Sequence, residues 1–135
     1  MAAYNKFTPA VENMQEGMNA GSDSWAIKLA TAVNQAAGTF TEVANGNGYT
    51  TGGTAATITS STQTSGTEKW ILQSVVFTAT GAVGPFRYAT IYNATQTTPL
   101  KPLIAWWDYG SSVTLANGDT FTVAFDGTNG VLTIA

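Results

Sequence analysis

Val113-Thr114-Leu115-Ala116-Asn117-Gly118-Asp119-Thr120-Phe121-Thr122-Val123-Ala124-Phe125 is the stretch that decides the fold. Apolar side chains recur at alternate positions on both sides of Asn117-Gly118-Asp119, a triplet that tolerates positive φ. Phe121, Val123 and Phe125 then face inward, and Thr120, Thr122 and Ala124 face outward. This stretch predicts a β-hairpin.

The period of two extends in both directions. Downstream, Asp126-Gly127-Thr128-Asn129-Gly130 is a second turn, and Val131-Leu132-Thr133-Ile134 ends in a strand. Upstream, strands are expected at Trp25-Ala26-Ile27-Lys28-Leu29, at 39–43, in the Thr-rich segment 54–64, at 68–80, at 86–92 and at 100–109. Segment 68–80 is too densely apolar for burial on one face, so it bends or runs between two sheets. Four glycines between Asn45 and Gly53 mark a loop. That loop lacks the strand-to-helix setting of a phosphate cradle.

One helix is expected. Phe7, Val11, Met14 and Met18 fall on one face, Thr8-Pro9 serves as N-cap and first-turn proline, and Gly17 with Asn19-Ala20-Gly21 ends it. The face either covers one end of the β core or docks on a partner. The predicted fold is all-β, an antiparallel β-sandwich (jelly roll) of about eight strands with one short N-terminal helix. It forms a single domain over 1–135, with 1–21 as a helical arm and 22–135 as the sandwich.

Composition narrows the function. The 135 residues contain neither Cys nor His. Thiol chemistry, zinc fingers and the commonest general base are therefore absent. The five Lys and Arg residues are scattered and the net charge is −3, against a nucleic-acid partner. Neither a membrane span nor a signal peptide is expected, so synthesis in a cytoplasm is. Charged residues make up 10% of the chain, well under the ~25% of an average domain. Thr, Ser, Gly and Asn take their place. Such a surface either is bland or packs beside copies of itself or a partner, as a dimer or trimer.

No catalytic set is apparent. Asp108 lies between Trp107 and Tyr109, where desolvation can raise a carboxyl pKa, but no second carboxylate is paired with it in sequence. Segment 126–130 lacks the ligand run of a calcium loop. No cofactor or metal is expected. Trp106 and Trp107, as strand neighbours, point to opposite faces. Alternation with Leu103, Ala105 and Tyr109 assigns Trp107 inward, and leaves Trp106 outward with Ile104 and Asp108. The candidate interface residues are Trp106 and Ile104, with Phe7, Met14 and Met18 of the helix.

Asn47-Gly48-Tyr49, Gly84-Pro85-Phe86-Arg87-Tyr88 with Ile91-Tyr92-Asn93, Pro102-Leu103-Ile104-Ala105-Trp106-Trp107-Asp108-Tyr109-Gly110 and the 115–123 stretch carry a family resemblance. Together they resemble small virion proteins of tailed bacteriophages that include head decoration (cement) proteins with a jelly-roll fold. The resemblance implies a homo-oligomer on the outer capsid surface, partnered by the major capsid protein, and brings no catalytic residues. A tail- or fibre-associated protein and a carbohydrate-binding β-sandwich are the other classes that fit.

Overall fold

The computed structural model describes residues 2–134, with side chains through residue 131. In chain order the elements are β1 (Asn5–Lys6), α1 (Ala10–Gly17), β2 (Trp25–Asn34), β3 (Thr39–Glu42), β4 (Thr54–Ala56), β5 (Ile58–Thr64), β6 (Thr67–Leu72), β7 (Val75–Thr78), β8 (Val83–Asn93), β9 (Leu103–Leu115), β10 (Thr120–Val123) and β11 (Leu132–Ile134). One layer is a six-stranded sheet ordered β1-β9-β8-β2-β3, with β4 also paired to β2. The second layer is split into β11-β6-β5 and β10-β7. Every pairing among the described residues is antiparallel. The fold is an all-β sandwich with one short helix. The eleven strands among the described residues exceed the expected number of about eight because two expected strands each divide and because Asn5–Lys6, read from the sequence as part of the helical arm, forms β1.

Both divisions have local causes. Segment 54–64 changes layers at Thr57: β4 pairs with β2, whereas β5 pairs with β6. Segment 68–80 breaks at Gln73-Ser74, so that β6 and β7 serve different parts of the second layer.

The core lies between the layers. Trp25, Ile27 and Leu29 of β2 alternate into it and meet Trp70 and Leu72 of β6, Val75 and Phe77 of β7, and Val123 of β10. The Trp25 and Trp70 rings sit 4.2 Å apart across the sandwich, and both side chains are fully buried. Each such side chain contributes on the order of 1.5–3 kcal/mol by leaving water. Alternation does not expose the rest of β2, because Ala26 and Ala30 are buried as well. The N-terminal segment is fastened to the large sheet. The Phe7 N–H donates to Ile104 O and the Thr8 N–H to Gln35 O, which ties the segment to both β9 and the β2–β3 turn.

The expected hairpin at Asn117-Gly118-Asp119 is instead a corner between layers. β9 is paired with β8 on one side and β1 on the other, whereas β10 pairs with β7. The Gly118 N–H donates to Ala79 O and the Ala79 N–H to Asp119 O, fixing the corner on β7's end. The alternation of β10 is nevertheless the expected one, with Phe121, Val123 and Phe125 on the core side.

The helix also differs from expectation. It begins at Ala10 with Pro9 at the N-cap and no side-chain cap. Phe7 lies outside it, directly after β1, and Val11 is exposed. The buried face is Ala10 and Met14, continued by Met18 just beyond the helix. A buried polar knot fastens this segment to the sandwich. Asn93 Nδ2 donates to Asp23 Oδ2 at 2.6 Å, the Asn19 N–H donates to the same oxygen at 2.8 Å, and Gln96 Nε2 donates to Asn13 O at 2.9 Å.

The glycine-dense loop is packed rather than free. Tyr49 is buried and stacks on Phe77 at 5.9 Å. Its hydroxyl donates to Glu42 Oε1 at 2.8 Å and accepts the Leu29 N–H at 3.2 Å. Burial, with the Glu42 carboxylate beside it, pushes the Tyr49 hydroxyl far above the ordinary tyrosine range, so it stays a neutral donor. Glycine is required where this loop touches strands: a Cβ on Gly48 would strike Thr78 O, and one on Gly53 (φ +76°) would strike Ile27 O. Gly53→Ala should destabilise by more than ~1 kcal/mol. Gly127→Ala, where the added Cβ meets nothing within 4 Å and φ is not positive, should stay within about 0.5 kcal/mol. Denaturant unfolding of the two variants checks the contrast.

Candidate interaction surface

The most irregular pairing in the molecule lies between β8 and β9. Tyr88 pairs with Asp108 and Phe86 with Val113, so a two-residue step on β8 spans a five-residue step on β9. The excess chain bulges out at Tyr109-Gly110-Ser111-Ser112, and Gly110 takes φ +97° there. Bulges of this kind re-aim side chains and end regular pairing. Arg87 closes the base of the bulge. Its Nε and Nη2 donate to the two Asp108 oxygens at 2.7 and 2.8 Å. Asp108 Oδ1 also accepts the Gly110 N–H at 2.7 Å. The Arg87 fork, helped by that N–H, holds the Asp108 carboxyl below the ordinary aspartate range. The expectation that its aromatic neighbours could raise it is corrected. Asp108 is a fixed anion in a bidentate pair.

Beside this fork runs an apolar groove of about 190 Å³. Its floor is the core-side face of the large sheet, with Arg87 and Ala89 from β8 and Trp107 and Tyr109 from β9. Its wall is four consecutive residues, 121–124, of and just after β10. Rings frame it edge to face: Trp107 on Phe125 at 5.6 Å, Tyr109 on Phe121 at 5.4 Å, and Tyr4 on Trp107 at 5.9 Å. Tyr109 is 58% exposed at the mouth.

The five interface residues named from the sequence do not gather here. Trp107 packs on the main core, and Trp106 lies on the opposite sheet face, edge-on to Tyr88 at 5.7 Å. Trp106 is half-buried and paired with Asn5 of β1. Ile104 does not accompany it. Ile91 pairs with Ala105 and Tyr92 with Leu103, so Ile104 is the extra residue of a bulge and is fully buried in the core. Phe7 is fully buried too. Met14 and Met18 are half-buried against the core. Sequence reasoning passed over Tyr109, Phe121 and Arg87 as a group. The available signal was Gly110 directly after a dense aromatic run, since a glycine inside a strand pattern marks a bulge.

Other sequence features resolve as structure. Asp126 caps its own turn, with Oδ1 accepting the N–H groups of Thr128 and Asn129 and Oδ2 accepting from Asn129 Nδ2. These bonds lower its pKa and occupy the oxygens a cation would need. Among the described residues, no three acidic side chains gather as metal ligands, and no helix is long and apolar enough to cross a membrane.

The fork predicts a pH signature. A carboxyl lowered on folding adds stability above its unfolded value, about 3.9, and that stability is lost as pH falls through the folded value. The stability difference between the wild type and Asp108→Asn should therefore be constant from pH 7 to about 5 and shrink below about 4. Urea midpoints across that range read it directly. Compared with protein-family models, curated proteins and solved structures, the chain matches none.

Proposed function

We propose that this chain is a non-catalytic structural protein of a tailed-phage virion, binding the outer capsid surface and stabilising capsomer contacts. One observation carries the proposal: three of the segments on which the sequence resemblance to phage decoration proteins rests, 84–88, 106–110 and 115–123, meet on one part of the fold, whereas Asn47-Gly48-Tyr49 packs elsewhere, on Phe77. Gly84-Pro85-Phe86-Arg87-Tyr88 and Trp106-Trp107-Asp108-Tyr109-Gly110 meet across β8 and β9. The 115–123 segment turns over them, placing Phe121 against Phe86 and Tyr109. The result is a rigid, weakly charged surface with an aromatic groove, bound by packing and held in shape by the Arg87–Asp108 fork.

The physics of the role is simple. A filled head strains its shell where capsomer contacts are weakest, and a small rigid body spanning that boundary adds contacts that must break first. Modest contacts suffice when an oligomer attaches at several points, because the second attachment is intramolecular. A dimer or trimer that grips the major capsid protein serves this purpose, without nucleic acid, membrane or cofactor. The exposed Tyr109 beside Phe121 also favours a second reading, a sugar-binding platform; glycan-array binding by the isolated protein distinguishes it.

Heads carrying the protein should retain DNA through heating or osmotic shock that empties heads stripped of it, and adding the protein back should restore retention. Equal retention by stripped and complete heads refutes the role.

A further inference from the structure

We infer that the groove beside β10 takes an extended peptide segment of the shell protein, which pairs as an added strand with the open edge of β10. The inference rests on the head-binding reading above and names the surface that performs it. β10 pairs with β7 on one side, and among the described residues no strand pairs with its other side. Alternate N–H and C=O groups of an antiparallel strand point to each side, so half of those on β10 point away from β7. Unpaired main-chain groups on a strand edge specify one kind of ligand, another main chain.

The groove is shaped for that ligand. Four consecutive residues, 121–124, line it, so it follows the strand edge instead of one strand face. The opposite side presents Arg87 and Ala89 on β8, and Trp107 and Tyr109 on β9, both at the two-residue spacing of an extended chain. An added strand would set alternate side chains against Trp107 and Tyr109. The volume of about 190 Å³ falls below the ~300–1,000 Å³ of sites for drug-sized ligands, and suits one or two apolar side chains. Main chain already reaches the site, since Ala2 lines it two residues before Tyr4, whose ring packs on Trp107. No carboxylate lines the groove, since Asp108, the partner of Arg87, lies outside the lining.

Hydrogen exchange read by mass spectrometry, on the free protein and on protein rebound to stripped heads, tests the inference. Those amides of 120–124 that point away from β7 should exchange quickly in the free protein and slow at least about tenfold on heads, a change equivalent to ~1.4 kcal/mol. Tyr109→Ala removes a groove ring, and Thr122→Lys places a charge on an exposed edge position. Each should weaken head binding at least about tenfold while the melting temperature holds. Should either variant unfold, the wild-type footprint still decides. Head-bound protein with the amides that point away from β7 unprotected, or both folded variants binding as wild type, overturns the strand addition and leaves head binding standing. Protection of the same amides in the free protein at high concentration assigns the edge to a second copy and also overturns it. Failure to co-sediment with heads overturns both proposals.

Discussion

The crossing of the chain from β9 to the second layer at Asn117-Gly118-Asp119, fixed by hydrogen bonds to Ala79, is the constraint from which much of the molecule follows. The chain leaving Leu115 does not fold back onto β9, whose other edge meets β1 only at Ala105 and Trp106. It turns at Asn117-Gly118-Asp119 and crosses to the second layer, where Ala79 receives it. β10 therefore lies over the inner face of β8 and β9 and pairs only with β7 among the described strands. The second layer stops there, while the large sheet continues to β9 and β1. The uncovered step between the layers is the groove, and the aromatic rings of Trp107, Tyr109, Phe121 and Phe125 border it.

The groove needs a stiff frame, and three arrangements supply one. Trp25 and Trp70 set the contact between the layers at the far side of the core. The Asp23–Asn93–Gln96 knot fixes the helical segment, satisfying polar atoms that would otherwise be costly inside a protein. The loop through Gly48 and Gly53 lies directly on strand backbone because it carries no Cβ at the points of contact. The Arg87–Asp108 fork does comparable work at the surface. It is too exposed to weigh heavily in overall stability, but it closes the bulge that presents Tyr109.

Alternation made the strand regions and the core side of β10 legible, since Phe121, Val123 and Phe125 each follow a polar or small neighbour. The all-β class was equally plain, as one short helical pattern stood against many period-two runs. What could not be read was pairing. Asn117-Gly118-Asp119 has the residues of a hairpin turn, yet β-turn chemistry does not say whether the next strand stays in its sheet. Ile104 looked outward because alternation assumes no bulge, and a one-residue bulge reverses the side-chain direction. Phe7 fitted a helical face by spacing, but its N–H is taken by Ile104 O and the helix starts later. The groove was hidden for the same reason: it joins Arg87, Trp107 and Phe121, which become neighbours only through the crossing at 116–119.

A weakly charged sandwich with a rigid aromatic surface is well suited to adding contacts to a larger assembly. The central claim is that the assembly is a phage head and that this surface meets it. Cryo-electron microscopy of purified virions containing the protein tests that claim most directly. The account predicts sandwich-shaped density at capsomer boundaries outside the shell, with the β8–β9–β10 side toward the capsid protein. Density confined to the tail, or its absence from the particle, would contradict it.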